Sequence, residues 1–165
     1  MARYADDYTA AVTLPVLDRL LDGEPDVSVE AIPTRTQSVR QLKEGLRRDL
    51  EWLLNTRRIA VPPDESLKEV NRSLYVYGLP DFTHYALNSP KDHVKLTRFL
   101  QGTVKLFEPR LANVKIVPLE GITGATRTLR FRIEGMLVMD PAPEHVSFDT
   151  VLELTSGGYE VRNAG

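Results

Sequence analysis

Cysteine is absent from all 165 residues. That rules out disulfides, thiolate metal sites and cysteine nucleophiles, and it suits a reducing compartment. Long apolar runs are missing as well. The longest, Met136 to Met139, falls far short of a bilayer span. Met1 to Asp7 carries no apolar signal-peptide core. The expectation is a cytoplasmic protein with no direct membrane insertion. Histidine occurs only at His84, His93 and His145, without metal-ligand spacing. There is no His-Glu-x-x-His run, phosphate-binding loop or Rossmann glycine fingerprint. No metal, cofactor or catalytic residue is therefore expected. A strong excess of either charge is also lacking. The net charge is −2, whereas a free nucleic-acid binder is usually basic, so nucleic acid is not an expected partner.

What is present is ordinary globular material, 42% hydrophobic and 27% charged, enough for one good core. Residues 1–37 differ in texture from the rest. Leu14, Leu17, Leu20 and Leu21 suit one short apolar helix, broken by Asp22-Gly23-Glu24-Pro25-Asp26 and again by Pro33. This stretch reads as an N-terminal arm, partly ordered, ahead of a domain over residues 38–165. It either lies on a surface or is a loose terminus.

Ser38, with Gln41 three residues on, has the spacing of a capping box and predicts a helix start. Leu42, Leu46, Leu50, Leu53 and Leu54 then share one stripe. Trp52 lies off that stripe, so it either packs on a second element or faces a partner. After Pro62-Pro63, the segment Leu74-Tyr75-Val76-Tyr77 reads as a short strand and Gly78 to Phe82 as a turn. A second helix is predicted from Ser89-Pro90, with Leu96, Phe99, Leu100, Val104, Leu106 and Phe107 as its apolar face. It ends before Pro109, because the residue ahead of proline avoids helical geometry.

The last third alternates. Val114 to Val117, Leu129 to Leu137, Val146 to Leu154, and Tyr159 with Val161 read as half-buried strands. Turns are predicted at Gly121 to Gly124, Pro141-Ala142-Pro143 and Ser156-Gly157-Gly158. The order predicts an α+β fold, with two main helices packed on a small antiparallel sheet of three or four strands.

Glu51, Glu108 and Asp81 are the carboxylates to test for glycan cleavage. Glu51 and Glu108 each sit within a few residues of arginine. A nearby positive charge favours an ionised carboxylate, whereas a general acid must hold its proton. The arginines carry more information. Arg47, Arg48, Arg57 and Arg58 surround the end of the first helix, where positive charge is favourable in itself. Asn55 suits a helix terminator. Arg110 follows Pro109 at a rigid corner, from which a guanidinium can grip a neighbour's carboxylate or brace the chain internally, for instance against Glu51. Trp52, Asn55, Arg57, Arg58, Glu108, Pro109 and Arg110 are the candidate partner-binding residues.

The strings Glu51 to Arg58, Tyr77-Gly78-Leu79-Pro80-Asp81 and Phe107 to Leu111 occur in an order and spacing that resembles the phage-tail baseplate wedge family, the lysozyme-like sheath initiators. The resemblance covers about residues 38–162. Leu17-Asp18-Arg19-Leu20 followed by Glu24-Pro25, and Arg48 to Arg57, look like its bacterial branch, the type VI secretion baseplate subunits of the TssE type. The resemblance implies a sheath-domain-like fold and a non-enzymatic role in the baseplate wedge, with TssF and TssG as partners. It also implies that the first ring of the sheath subunits TssB and TssC interlaces by strand addition. Residues 146–161 would supply the sheet edge, and Glu108-Pro109-Arg110 is the family's signature corner. The alternatives are a phage or other contractile-tail wedge protein, or a muramidase, the activity behind the family's label.

Overall fold

The structure is a computed structural model that describes residues 11–21, 26, 33–82, 90–119, 128–153 and 158–164. Its element order is α1 (Val16–Leu20), α2 (Arg35–Asn55), two 3-10 turns (Val70–Arg72 and Leu74–Val76), α3 (Pro90–Phe107), β1 (Leu111–Pro118), β2 (Thr128–Leu137), β3 (Glu144–Glu153) and β4 (Gly158–Asn163). The fold is α+β, with the helices preceding a four-stranded antiparallel meander in the order β1-β2-β3-β4. The chain divides into two compact units, Met1–Leu46 and Arg47–Gly165.

In the first unit, α2 begins one turn earlier than Ser38. Thr34 Oγ1 accepts from Gln37 N–H at 3.3 Å, and Gln37 Oε1 accepts from Thr34 N–H at 2.8 Å. This is the reciprocal capping box, at the same spacing as Ser38 and Gln41 but directly after Pro33. Ser38 is instead a buried helical residue. Its Oγ donates to Arg35 C=O at 2.8 Å and accepts Val12 N–H at 3.0 Å. The Asp18 side chain of α1 lies so near Gly45 that any Cβ there would collide with its carboxylate. The arm thus runs along α2 at two points. Val16, Leu17, Leu20 and Leu21 remain exposed, so the short helix is present but its apolar side chains do not form a core.

The second unit holds the sheet. Leu129, Phe131, Ile133 and Leu137 of β2, Val146, Phe148, Thr150 and Leu152 of β3, and Tyr159 and Val161 of β4 are buried. They alternate with wetter residues along each strand, so one face of the sheet is core. The α3 residues Leu96 and Leu100 meet Ile116, Leu129 and Phe131 around a small apolar niche, which places α3 over β1 and β2. Each such aliphatic side chain contributes about 1.5–3 kcal/mol when fully buried. Two sequence expectations fail here. Leu106 is exposed rather than part of the α3 core face. Leu74–Val76 is a 3-10 turn rather than a strand: Ser73 Oγ accepts Tyr75 N–H at 3.2 Å, and Leu74 and Tyr75 are both exposed while Val76 is buried.

Both rims of the sheet are modified. In an antiparallel ladder a residue's N–H and C=O point to the same side, and successive residues alternate. Ala164 N–H donates to Ser147 C=O, so Tyr159 and Val161 turn their backbone groups away from β3. Asn55 Nδ2 donates to Tyr159 C=O at 2.8 Å, and Tyr159 N–H donates to Asn55 Oδ1 at 2.9 Å. Arg47 Nη1 donates to Val161 C=O at 3.2 Å. On the other rim, β1 is broken by a bulge between Ala112 and Lys115, with Asn113 at φ 53°. Gln101 Nε2 of α3 donates to Val114 C=O at 2.7 Å, and Pro118 has no N–H to offer.

Candidate functional site

Two neighbourhoods of the second unit gather the candidate residues. The first is the corner after α3. Glu108 N–H donates to Val104 C=O at 2.8 Å and closes the helix, and Leu111 N–H returns to Glu108 C=O at 3.1 Å. Pro109 and Arg110 occupy the turn between them. Arg110 folds back on its own corner: Nε donates to Glu108 Oε1 and Nη2 to Glu108 Oε2, each at 2.6 Å. Nη2 also donates to Asp49 Oδ2 at 2.6 Å. Asp49 Oδ1 accepts from Arg48 Nη2 at 2.9 Å, and the Arg48 guanidinium stacks over the Trp52 ring, 4.9 Å from its centre. The result is a continuous relay, Glu108–Arg110–Asp49–Arg48–Trp52. It runs from a carboxylate 5% exposed to an indole 52% exposed.

Arg110 is therefore an internal brace. The predicted internal partner, Glu51, pairs instead with Arg47 at 3.0 Å. Asp49 and Glu51 project about 200° apart on a helix that turns about 100° per residue, so one corner cannot reach both. The hydrogen bond to Glu108, chiefly, pushes the Arg110 pKa up, against the opposing effect of burial. Its Nη1 is buried with no hydrogen-bond partner among the described residues. Tyr77 packs edge-on to Phe107, with ring centres 5.1 Å apart. Burial, then the charges of Asp49 and Glu108, push its phenol pKa up. Asp49 and Tyr77 are the members that sequence reasoning left out.

The second neighbourhood begins where α2 ends. Asn55 Nδ2 bonds Glu51 C=O at 2.9 Å as well as Tyr159, so this residue holds β4 rather than facing outward alone. The chain then runs extended. Leu79 N–H donates to Thr56 C=O and Arg58 N–H to Leu79 C=O, both at 2.8 Å, forming a single parallel bridge between Arg57 and Leu79. Gly78, at φ 95°, permits this approach, since a Cβ there would strike the Thr56 carbonyl oxygen. An open groove of about 560 Å³ follows, lined by Arg57, Arg58, Ile59, Pro62, Pro80, Asp81 and Phe99. The Arg58 guanidinium carbon is 6.0 Å from the Phe99 ring centre, and Phe99 meets Phe82 edge-on at 5.7 Å.

Among the described residues no group of three or more His, Asp or Glu side chains is arranged to hold a metal. His84 lies outside those residues. Among them no helix is long and apolar enough to cross a membrane. Of the seven candidate residues, Glu108 and Arg110 join each other at the corner with Pro109 in the turn between them, Asn55 joins β4, Arg57 and Arg58 line the groove, and Trp52 is open to solvent.

This is a helix-and-meander domain whose candidate residues brace a corner, hold β4 and line a groove. The family described as baseplate wedge protein gp25 matches residues 40–142, more than half of the chain, and the chain belongs to that family. Membership points to a structural role in a baseplate. The matched span takes in most of α2, the corner, the groove, β1 and β2, and it stops in the turn before β3. Comparison with curated proteins and with solved structures gives no match.

Proposed function

We propose that this chain is a non-enzymatic subunit of a type VI secretion baseplate wedge, held by TssF and TssG and joining the wedge to the first ring of the TssB and TssC sheath. The observation that carries the reading is the family match over residues 40–142, together with the TssE-like run from Arg48 to Arg57 inside it. In this reading the protein is cytoplasmic and is recruited to the baseplate docked at the inner membrane. Trp52, Arg57 and Arg58 are the outward members of the candidate set and meet the wedge. Glu108, Pro109 and Arg110 hold the shape that presents them. A sheath strand joining at β4 has to displace Asn55 from Tyr159 and Arg47 from Val161, so strand addition there carries a built-in cost of about 1 kcal/mol for each hydrogen bond not replaced.

Glu51 and Glu108 are both engaged by arginine, which supports the structural reading over a muramidase. Co-expression with TssF and TssG is the test. The expected result is a stable co-purifying complex, with sheath assembly lost when the gene is deleted and restored by the intact chain. Recovery of the wedge subunits without this chain, and normal sheaths in the deletion strain, would refute it. The chain is its own reporter, because Trp52 is the only tryptophan: docking at that face shields the indole from acrylamide quenching.

A further inference from the structure

We infer that the groove beside the α2 terminus binds an extended acidic segment of a partner protein, one that places a carboxylate next to an apolar side chain. Charge is the first argument. Arg47, Arg48, Arg110, Arg132 and Arg162 each contact a carboxylate within the second unit. Arg57 and Arg58, side by side on the groove wall, have no carboxylate partner among the described residues. Arg72, Arg98 and Arg130 of the same unit also show no carboxylate partner among the described residues, but Arg57 and Arg58 are adjacent in sequence and share one groove, a local positive feature whose guanidinium forks match carboxylates in geometry as well as sign. Among the described residues, Asp81 is the one carboxylate lining the groove.

The floor supplies the second argument. Phe99, Pro62 and Pro80 line it. Neither proline has an N–H, and the Phe99 ring is fixed edge-on by Phe82, so the floor offers rigid apolar surface with few donors. Ile59 and Val61 stand exposed along the same segment. An aliphatic or aromatic side chain seated there is held by shape, while a neighbouring carboxylate reaches the arginines.

The backbone supplies the third. In a parallel bridge, the residue that makes both bonds straddles the one opposite. Leu79 makes both, to Thr56 and Arg58, so Arg57 turns its own N–H and C=O to the other side. An extended peptide can add main-chain bonds there and set its alternate side chains toward groove and solvent.

This inference rests on the reading that the chain works by protein contact, but it does not depend on which assembly is involved. The test is selection of a random peptide display library on the full chain, with Arg57→Glu/Arg58→Glu as counter-target and Arg57→Gln/Arg58→Gln as a milder second variant. Circular dichroism and Trp52 emission confirm that both variants are folded. The expected outcome is enrichment of peptides pairing Asp or Glu with an aliphatic or aromatic residue. Affinity should be about tenfold or more weaker on the Glu variant, intermediate on the Gln variant, and reduced by salt. Three outcomes would overturn the inference: enrichment of neutral or basic peptides or of none, equal binding to the Glu variant, or displacement of selected peptides by a short single-stranded oligonucleotide. If the groove selects acidic peptides but the chain fails to co-purify with TssF and TssG, the groove stands and the type VI wedge assignment falls.

Discussion

The Asn55 carboxamide takes both backbone groups of Tyr159, accepting its N–H at 2.9 Å and donating to its C=O at 2.8 Å. It is the pairing a neighbouring strand would make, supplied by one side chain of a helix. A further bond to Glu51 C=O fixes the amide's orientation. Asn55→Ala should cost about 1–3 kcal/mol. Asn55→Asp keeps the acceptor but sets a carboxylate against two carbonyl oxygens, so it should be no better than the alanine variant. Urea denaturation checks the energies, and hydrogen exchange at the Tyr159 amide should quicken in both variants.

Glu108 is buried and depends on the Arg110 fork. Arg110→Met leaves a buried carboxylate without a partner and should destabilise by about 3–5 kcal/mol. Glu108→Gln in that background removes the stranded charge, so the double variant should be more stable than Arg110→Met alone. A double-mutant cycle by chemical denaturation measures this coupling. Additive losses would mean that the two side chains do not act as a pair.

Tyr159 is buried, and its hydroxyl has no hydrogen-bond partner among the described residues. Tyr159→Phe should therefore be neutral or stabilising by up to about 1 kcal/mol. Burial also pushes the Tyr159 pKa up, as burial and nearby carboxylates do for Tyr77. A folded-state pKa above the unfolded value of about 10 gives stability that is complete below that pH and lost as pH rises through the folded value. Alkaline unfolding should thus begin later in Tyr159→Phe, and ultraviolet titration of the wild type should show tyrosines that ionise only as it unfolds.

Two glycines should respond in opposite directions. Gly78→Ala meets both a φ of 95° and the Thr56 carbonyl, and it should cost about 1–3 kcal/mol while loosening the Arg57–Leu79 bridge. Gly102 lies inside α3 with nothing within 4 Å of an added Cβ. Gly102→Ala should stabilise by about 0.5–1 kcal/mol. Thermal melts of the two variants should bracket the wild type.

Periodicity made the sheet readable. Alternation around Phe131 and Phe148 located β2 and β3 because one face of each strand is core and the other is wet. The turns predicted at Gly121 to Gly124 and at Ser156-Gly157-Gly158 fall wholly or largely outside the described residues, whereas Pro141 to Pro143 does separate β2 from β3. Ends were harder to read. Thr34 with Gln37 and Ser38 with Gln41 offer the same capping chemistry four residues apart, and only tertiary contact, Val12 on Ser38, separates them. The corner was half legible. Glu108, Pro109 and Arg110 stood out in the sequence, but Asp49 and Tyr77 reach them through packing that no local pattern encodes. The Arg57–Leu79 bridge joins residues far apart in sequence, so the groove had no linear signal beyond its two arginines.

The two rims of the sheet also bear on what can pair with them. A copy of this chain that approaches another through β4 finds Asn55 and Arg47 already there, and through β1 it finds a bulge, Gln101 and a proline. Copies can therefore accumulate side by side without stacking into open-ended fibres. A strand that adds at either rim has to bring enough contact of its own to lift those side chains away, so pairing there selects for a partner rather than for a high concentration of this chain.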